Sequence, residues 1–172
     1  MAKWMLPIFI FCNLYAYEFT QDYQQGFYWQ TTPVNFSVVN PDSSITPLLH
    51  PSVRAILKQE VDTAVNAWHS GLGEILWNVS PIVLSSAVSG TNLVRWSNDI
   101  EGETGFNSSS TLAVTLRYIN GPFYVRSEII LNANHPTLRN QYALRSTLIH
   151  EFGHTYGLGH SADYNAIMYY SY

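Results

Sequence analysis

The sequence predicts an α+β fold, and three observations indicate it. Apolar residues recur every three or four positions after Pro51, as they do in an amphipathic helix. Short segments rich in β-branched and aromatic residues, which are typical of strands, occupy the middle of the chain. A second stretch with helical spacing covers residues 140–156. Strands placed between two helical segments favour a sheet with helices packed against it.

The composition is that of one folded domain. The chain has 172 residues, 47% of them hydrophobic and 12% charged, and this length is typical of a single compact domain. The formal net charge is -4, and no cluster of Lys and Arg interleaves with the aromatic residues, which argues against a nucleic-acid partner. We therefore expect a single domain over residues 17–172. The pattern does not fix an oligomeric state, and our expectation is a monomer.

Residues 1–16 are interpreted as a signal peptide. Lys3 supplies the positive charge, residues 4–11 are almost wholly apolar, and Ala16 is a small residue at the expected cleavage point. The apolar run is shorter than the roughly 20 residues that span a bilayer, so we expect no stable membrane insertion; an uncleaved N-terminal anchor is the alternative. The predicted location is secreted or extracellular, or periplasmic in a bacterium.

The N-terminal half is predicted to contain a strand and then a long helix. Residues 27–39 carry aromatic and β-branched side chains with partial alternation and end at Asn40-Pro41, which indicates a strand. Pro51 opens a helix of about 18 residues, because proline suits the first helical position. Gly71 lies just beyond its expected end.

Four further strands are predicted, at residues 82–88, 93–96, 111–119 and 124–131. Asn120-Gly121 is a turn signal between the last two. A loop of Gly, Ser and acidic residues is expected at residues 99–110, where side-chain oxygens can be offered to calcium by Asp99, Glu101, Glu103 and Asn107. A solvated acidic loop is the alternative interpretation.

Three histidines have the spacing of a metal site. His150 and His154 are four residues apart, so they lie on one helical face and can bind one ion. Gly157 can adopt a positive φ and end the helix, which lets His160 return to the same metal. Three protein ligands leave one position for water, whose pKa zinc lowers towards about 7. The pattern predicts one catalytic zinc.

Glu151 is the predicted general base beside that metal. It follows His150 directly, where a carboxylate can accept the proton of the attacking water and pass it to the leaving amine. Met168 is interpreted as a hydrophobic floor under the metal. A zinc-stabilised structural protein would instead favour a closed site of four ligands.

These residues resemble a metzincin, and within that clan the matrixins. The likeness is carried by residues 150–169, where this chain has His150, Glu151, His154, Gly157, His160, Ser161, Asp163, Ala166, Met168 and Tyr169. The resemblance implies a twisted mixed β-sheet with an antiparallel edge strand, a long backing helix and an active-site helix. It also implies that Leu112 and Ala113 belong to the edge strand on which an extended substrate is laid antiparallel.

The function implied by this resemblance is that of a secreted zinc endopeptidase acting on protein or peptide substrates. The alternative is a secreted zinc-binding module that retains the fold without cleaving. The chain departs from the family at Val114 and Ile130, where matrixins carry histidines for a structural zinc, so we expect no such site. The helix that follows the methionine turn in the family is expected to be missing.

Tyr170 leaves two interpretations open. It stands two residues after Met168, where matrixins usually have proline but astacins and serralysins have a tyrosine that approaches the zinc. Its phenol can stabilise the oxyanion formed during peptide hydrolysis. Alternatively, it lines the wall of the substrate pocket.

Overall fold

The structure is a computed structural model, and it describes residues 20–170. The predicted signal peptide lies outside these residues and stays a prediction. None of the helices within residues 20–170 has both the length and the apolar character that a membrane span requires.

Residues 20–170 form six strands, five α-helices and one 3-10 helix. The strands are β1 (Tyr28–Trp29), β2 (Val34–Val38), β3 (Trp77–Val79), β4 (Asn92–Ser97), β5 (Ala113–Asn120) and β6 (Phe123–Asn132). The α-helices are α1 (Gln21–Gln24), α2 (Pro51–Arg54), α3 (Leu57–Leu72), α4 (Ile100–Thr104) and α5 (Gln141–Thr155), and the 3-10 helix is Pro136–Arg139.

The six strands form one mixed sheet. Its order is β5-β6-β4-β2-β3, with the short β1 paired to the first residues of β6. β5 runs antiparallel to β6, and the other pairings are parallel. No other strand within residues 20–170 pairs with β5, so β5 lies at one edge of the sheet.

The main core lies between the sheet and the helices α3 and α5. Alternate residues of β2, β4 and β6 point to this side, as expected for strands with one face covered by helices. The central side chains of this core are Phe36, Val38, Val61, Ala64, Val94, Ile129, Leu131, Leu144, Leu148 and Phe152.

A second, smaller cluster covers the opposite face of the sheet near β5. Val114 and Ile130 are register partners on β5 and β6, and both pack with Ile100 at the start of α4. Leu116 packs against them. The two positions at which the resemblance places structural-zinc histidines therefore carry apolar side chains that are buried together.

Three predicted elements in the first half of the chain need correction. The strand expected at residues 27–39 is split into β1 and β2. The helix expected from Pro51 is interrupted at Ala55 and Ile56, which the periodicity could not reveal because its apolar stripe continues into α3. Gly71 lies inside α3, and Gly73 ends the helix with a φ of 72°.

The middle of the chain holds two further corrections. Residues 82–88 form no strand and make only an isolated bridge, from Leu84 to Val39. Ile82 is 69% exposed, so this apolar side chain does not pack on the sheet. The edge position is taken instead by β3 with its buried Trp77. The loop expected at residues 99–110 contains α4, and the side chain of Asp99 caps this helix by accepting a hydrogen bond from the backbone amide of Gly102.

Candidate active site

Helix α5 presents the site residues and ends where the prediction placed its end. Asn140 caps its first turn, because the side-chain oxygen accepts hydrogen bonds from the backbone amides of Tyr142 and Ala143 at 2.8 and 3.3 Å. The other end is fixed through Thr155, whose hydroxyl accepts a hydrogen bond from the indole of Trp77 at 2.9 Å. The carbonyl of Thr155 accepts another from Trp29 at 2.8 Å.

His150, His154 and His160 converge, as the sequence pattern predicts. Each offers one nitrogen, and these three atoms lie within 4.8 Å of one another. The Nε2 atoms of His154 and His160 are 3.2 Å apart. Two nitrogens that bind one tetrahedral zinc at about 2.0 to 2.1 Å stand about 3.3 to 3.4 Å apart, so this spacing fits a shared zinc ion.

Backbone carbonyls hold two of the rings by the nitrogen that faces away from the cluster. His150 Nδ1 lies 2.9 Å from the carbonyl oxygen of Ile167, and His154 Nδ1 lies 2.7 Å from that of Leu158. Such a contact fixes the tautomer in which Nδ1 carries the proton and Nε2 presents its lone pair to a metal.

The cluster disfavours protonation of its members. Burial lowers the pKa of His154 to about 3, with a smaller contribution from the neighbouring His150. Burial also lowers the pKa values of His150 and His160 below their usual range. The three imidazoles are therefore neutral at pH 7, which is the state that binds a metal ion.

Glu151 is buried beside the histidines and is not one of the three clustered ligands. Burial raises the pKa of Glu151 to about 7, although a hydrogen bond from Thr115 and the charge of Arg117 act in the opposite direction. A carboxyl group whose pKa lies near neutrality can both accept and return a proton, as a general base that becomes a general acid must do.

Met168 lies beneath the active-site helix, fully buried. Its side chain packs against Gly153, the residue between Phe152 and His154. The segment that leads to it is fixed by a hydrogen bond of 2.6 Å from the backbone amide of Ser161 to the carbonyl of Met168. The role of Met168 as a hydrophobic floor under the metal stays a prediction.

The turn that carries the chain from His154 to His160 is shaped by Gly157, whose φ is 99°. Its carbonyl accepts hydrogen bonds from the backbone amide of Thr20 at 2.8 Å and from the Thr20 hydroxyl at 3.0 Å. The ring of Tyr23 stands 2.4 Å from where a Cβ atom at position 157 would be. Both the positive φ and this contact require glycine here.

Thr115 and Arg117 contact the site and were missed by sequence reasoning. The Thr115 hydroxyl lies 2.6 Å from Glu151 Oε2, and the Arg117 guanidinium donates to the carbonyl oxygen of His154 at 2.6 Å. The sequence does indicate them, because Thr115 and Arg117 lie two and four residues after Ala113, and such residues share one face of a strand. Ala113 is predicted to lie beside the substrate.

The remaining predicted residues are placed as follows. Ala113 is the first residue of β5, and Leu112 immediately precedes it. Tyr170 is 63% exposed, and its ring centroid lies 4.5 Å from that of Tyr169. The structure gives no direct support to either proposed role of Tyr170.

The acidic residues offered to calcium do not converge on one point within residues 20–170. Asp99 caps α4, and Glu101 accepts hydrogen bonds from the amide and hydroxyl of Ser108. Glu103 pairs with Arg95, and Asn107 accepts hydrogen bonds from Ser109. Their oxygens serve local structure, and calcium binding has no support here.

The chain is similar to a known protein family. Residues 28–172 match the family model described as matrixin. No curated protein matches the chain.

Proposed function

Because this chain belongs to the matrixin family, we propose that it is a secreted, zinc-dependent endopeptidase that hydrolyses peptide bonds of extended polypeptides. Matrixins are zinc enzymes, and the family membership supports metalloprotease activity as the general class. Secretion rests on the sequence of residues 1–16 alone.

One observation carries the proposal. Three neutral imidazoles converge within 4.8 Å, and a buried carboxyl group with a pKa of about 7 stands beside them. Three nitrogens can be offered to one zinc ion, and a site with three protein ligands leaves a fourth position, which distinguishes a catalytic site from a closed structural one.

Each site residue has its own role in the proposed reaction. His150, His154 and His160 hold the metal, which when bound supplies the Lewis acidity that activates water towards a peptide carbonyl at neutral pH. Glu151 accepts a proton from the attacking water at its carboxylate and later delivers it to the leaving amine nitrogen. Met168 packs against the helix at Gly153, next to His154.

The substrate is proposed to bind along β5 as an additional strand. β5 has β6 on one side and no described strand on the other, so its outer edge near Ala113 is proposed to pair with the substrate, whereas the carbonyl of Leu112 already accepts a hydrogen bond from Asn132. The same strand contacts the active-site helix through the hydrogen bond of Thr115 to Glu151, which supports this proposal. Main-chain hydrogen bonds of this kind bind extended peptides with little dependence on their sequence.

Cleavage of a fluorogenic peptide library tests the proposal. We expect zinc-loaded protein to cleave internal peptide bonds and a chelator to abolish cleavage reversibly. Glu151→Gln is expected to retain zinc and fold while losing about 100- to 10,000-fold in kcat, because the amide cannot accept the proton. Zinc binding without cleavage by the parent protein would favour the non-cleaving module instead.

A further inference from the structure

Strand β5 turns one row of side chains towards the active-site helix. Val114 and Leu116 face the small apolar cluster on the outer side of the sheet. Thr115 therefore points to the inner side, where its register partner Ile129 belongs to the main core. Thr115 is thus the β5 side chain that lies opposite Glu151.

The Thr115 hydroxyl has two acceptors within reach on the same residue. Its Oγ1 lies 2.6 Å from Glu151 Oε2 and 3.2 Å from the backbone carbonyl oxygen of Glu151. A hydroxyl carries one proton, and a short bond to an ionised oxygen is stronger than a longer one to a neutral carbonyl. The hydroxyl therefore donates to Oε2 when Glu151 is ionised.

This contact fixes which carboxylate oxygen is used. Within residues 20–170, Oε1 of Glu151 accepts no hydrogen bond, so holding Oε2 leaves Oε1 as the oxygen that meets the attacking water. Glu151 is 6% exposed, and the Thr115 hydroxyl is the described side-chain group that donates a hydrogen bond to its carboxylate.

We propose that Thr115 is a positioning residue for Glu151. The Thr115 hydroxyl holds Oε2 of Glu151, so that Oε1 of the same carboxylate is directed towards the attacking water. The inference rests on the proposed endopeptidase function and names a further residue for that same site. A purely structural Thr115 would only fill the space between β5 and α5, and valine would fill that space equally well.

Two substitutions separate these roles. Thr115→Val removes the hydroxyl at nearly constant shape, and Thr115→Ser keeps the hydroxyl on a smaller side chain. We expect the valine variant to lose about 10- to 100-fold in kcat with KM changed less than about twofold, because a misaligned catalytic group costs rate rather than binding. The serine variant is expected to stay within about threefold of the parent.

Thr63→Val is the matched control. Its hydroxyl also donates a hydrogen bond, 2.8 Å to the carbonyl of Gln59 on α3, and it has no proposed role in cleavage. This variant should show the parent kcat. Zinc content and circular dichroism are measured for all variants, and the Thr115→Val protein is expected to retain one zinc per chain.

A double-mutant cycle shows whether Thr115 acts through Glu151. In a Glu151→Asp background the shortened carboxylate no longer reaches the hydroxyl, so the further change Thr115→Val should cost less than about twofold in kcat. An equal loss in both backgrounds would overturn the proposed route.

The other outcomes also decide the matter. A kcat for Thr115→Val within threefold of the parent, a serine variant as slow as the valine variant, or loss of zinc from either variant would overturn the positioning role and leave the endopeptidase function standing. A parent protein with no chelator-sensitive cleavage would overturn the proposed function, and this inference with it.

Discussion

The sulfur atom of Met168 lies 2.4 Å from the point where a Cβ atom at Gly153 would stand. The methionine is fully buried, and Cζ2 of Trp68 lies 3.1 Å from the same point. Only a residue without a side chain fits there. The helix that carries the histidines can therefore approach the methionine closely only because its residue 153 is glycine.

Gly153→Ala is expected to destabilise the protein by about 1 to 3 kcal/mol, because the added methyl group overpacks a filled core. Urea unfolding of the zinc-loaded protein measures the change. Gly71→Ala is the control, since Gly71 lies inside α3 and a Cβ atom added there would have no other atom within 4 Å. Removing a helical glycine there should stabilise the protein by about 0.5 to 1 kcal/mol. A Gly153→Ala protein as stable as the parent would show that Met168 has room to move.

Replacing any one zinc ligand should empty the site. His150→Ala, His154→Ala and His160→Ala are each expected to lower the zinc content well below one per chain, because a site with two remaining ligands binds zinc weakly. Elemental analysis after dialysis measures this. His135→Ala serves as control, since His135 caps the 3-10 helix and lies outside the ligand cluster. Two zinc ions per parent chain would contradict the predicted absence of a structural site at Val114 and Ile130.

Tyr170→Phe removes only a hydroxyl and is expected to change kcat less than about threefold. The ring is 63% exposed, and its centroid lies 4.5 Å from that of Tyr169, so Tyr170 packs against a residue outside the histidine cluster. Tyr164→Phe, at a residue 78% exposed, is the control. A loss of 100-fold or more in kcat at constant KM would instead assign Tyr170 the stabilisation of the oxyanion.

Acid should weaken the contact between α3 and α5 through Glu60. Its fully buried carboxylate accepts hydrogen bonds from Arg145 at 2.7 Å and Gln141 at 2.8 Å. Burial alone would raise the pKa of Glu60, but these bonds outweigh it and lower the pKa below its usual value. The pair therefore stabilises the fold fully above the unfolded pKa of about 4.3, and this stability is lost as the pH falls through the lowered value.

Glu60→Gln is accordingly expected to lower the free energy of unfolding by about 3 kcal/mol at pH 6. This value is at the low end for a broken buried ion pair because the Arg145 side chain is 31% exposed. The difference from the parent should shrink towards pH 3. Asp62→Asn on the same helix breaks only the exposed pair with Lys58 and should cost less than about 1 kcal/mol. Urea unfolding at both pH values measures the differences, and a cost that does not depend on pH would contradict the assignment.

The sequence indicated the active-site helix and the convergence of its histidines because both follow from local rules. Residues four apart on a helix must share a face, and a glycine after the last turn allows the chain to reverse. β4, β5 and β6 were likewise recognisable from runs of β-branched residues flanked by turn signals.

The missed features depend on contacts between distant segments. Residues 82–88 look like a strand locally, yet Trp77 fills the core and its segment takes the edge of the sheet. The role of Thr115 depends on how β5 packs against α5, which no periodicity within β5 specifies. α4 differs from these features because its start is marked locally. Asp99 followed by acidic residues in the first turn is a helix-start signal, although a loop is predicted there.

The packing of Val114 against Ile130 has a consequence for the metal-free protein. Hydrophobic contacts do not respond to chelators, so this outer layer of the sheet should stay folded when zinc is withdrawn. Returning the metal would then restore the site on a layer that has stayed in place. The chain is in this respect suited to exchange of its ion for a spectroscopically active one such as cobalt, which would make the coordination sphere directly observable.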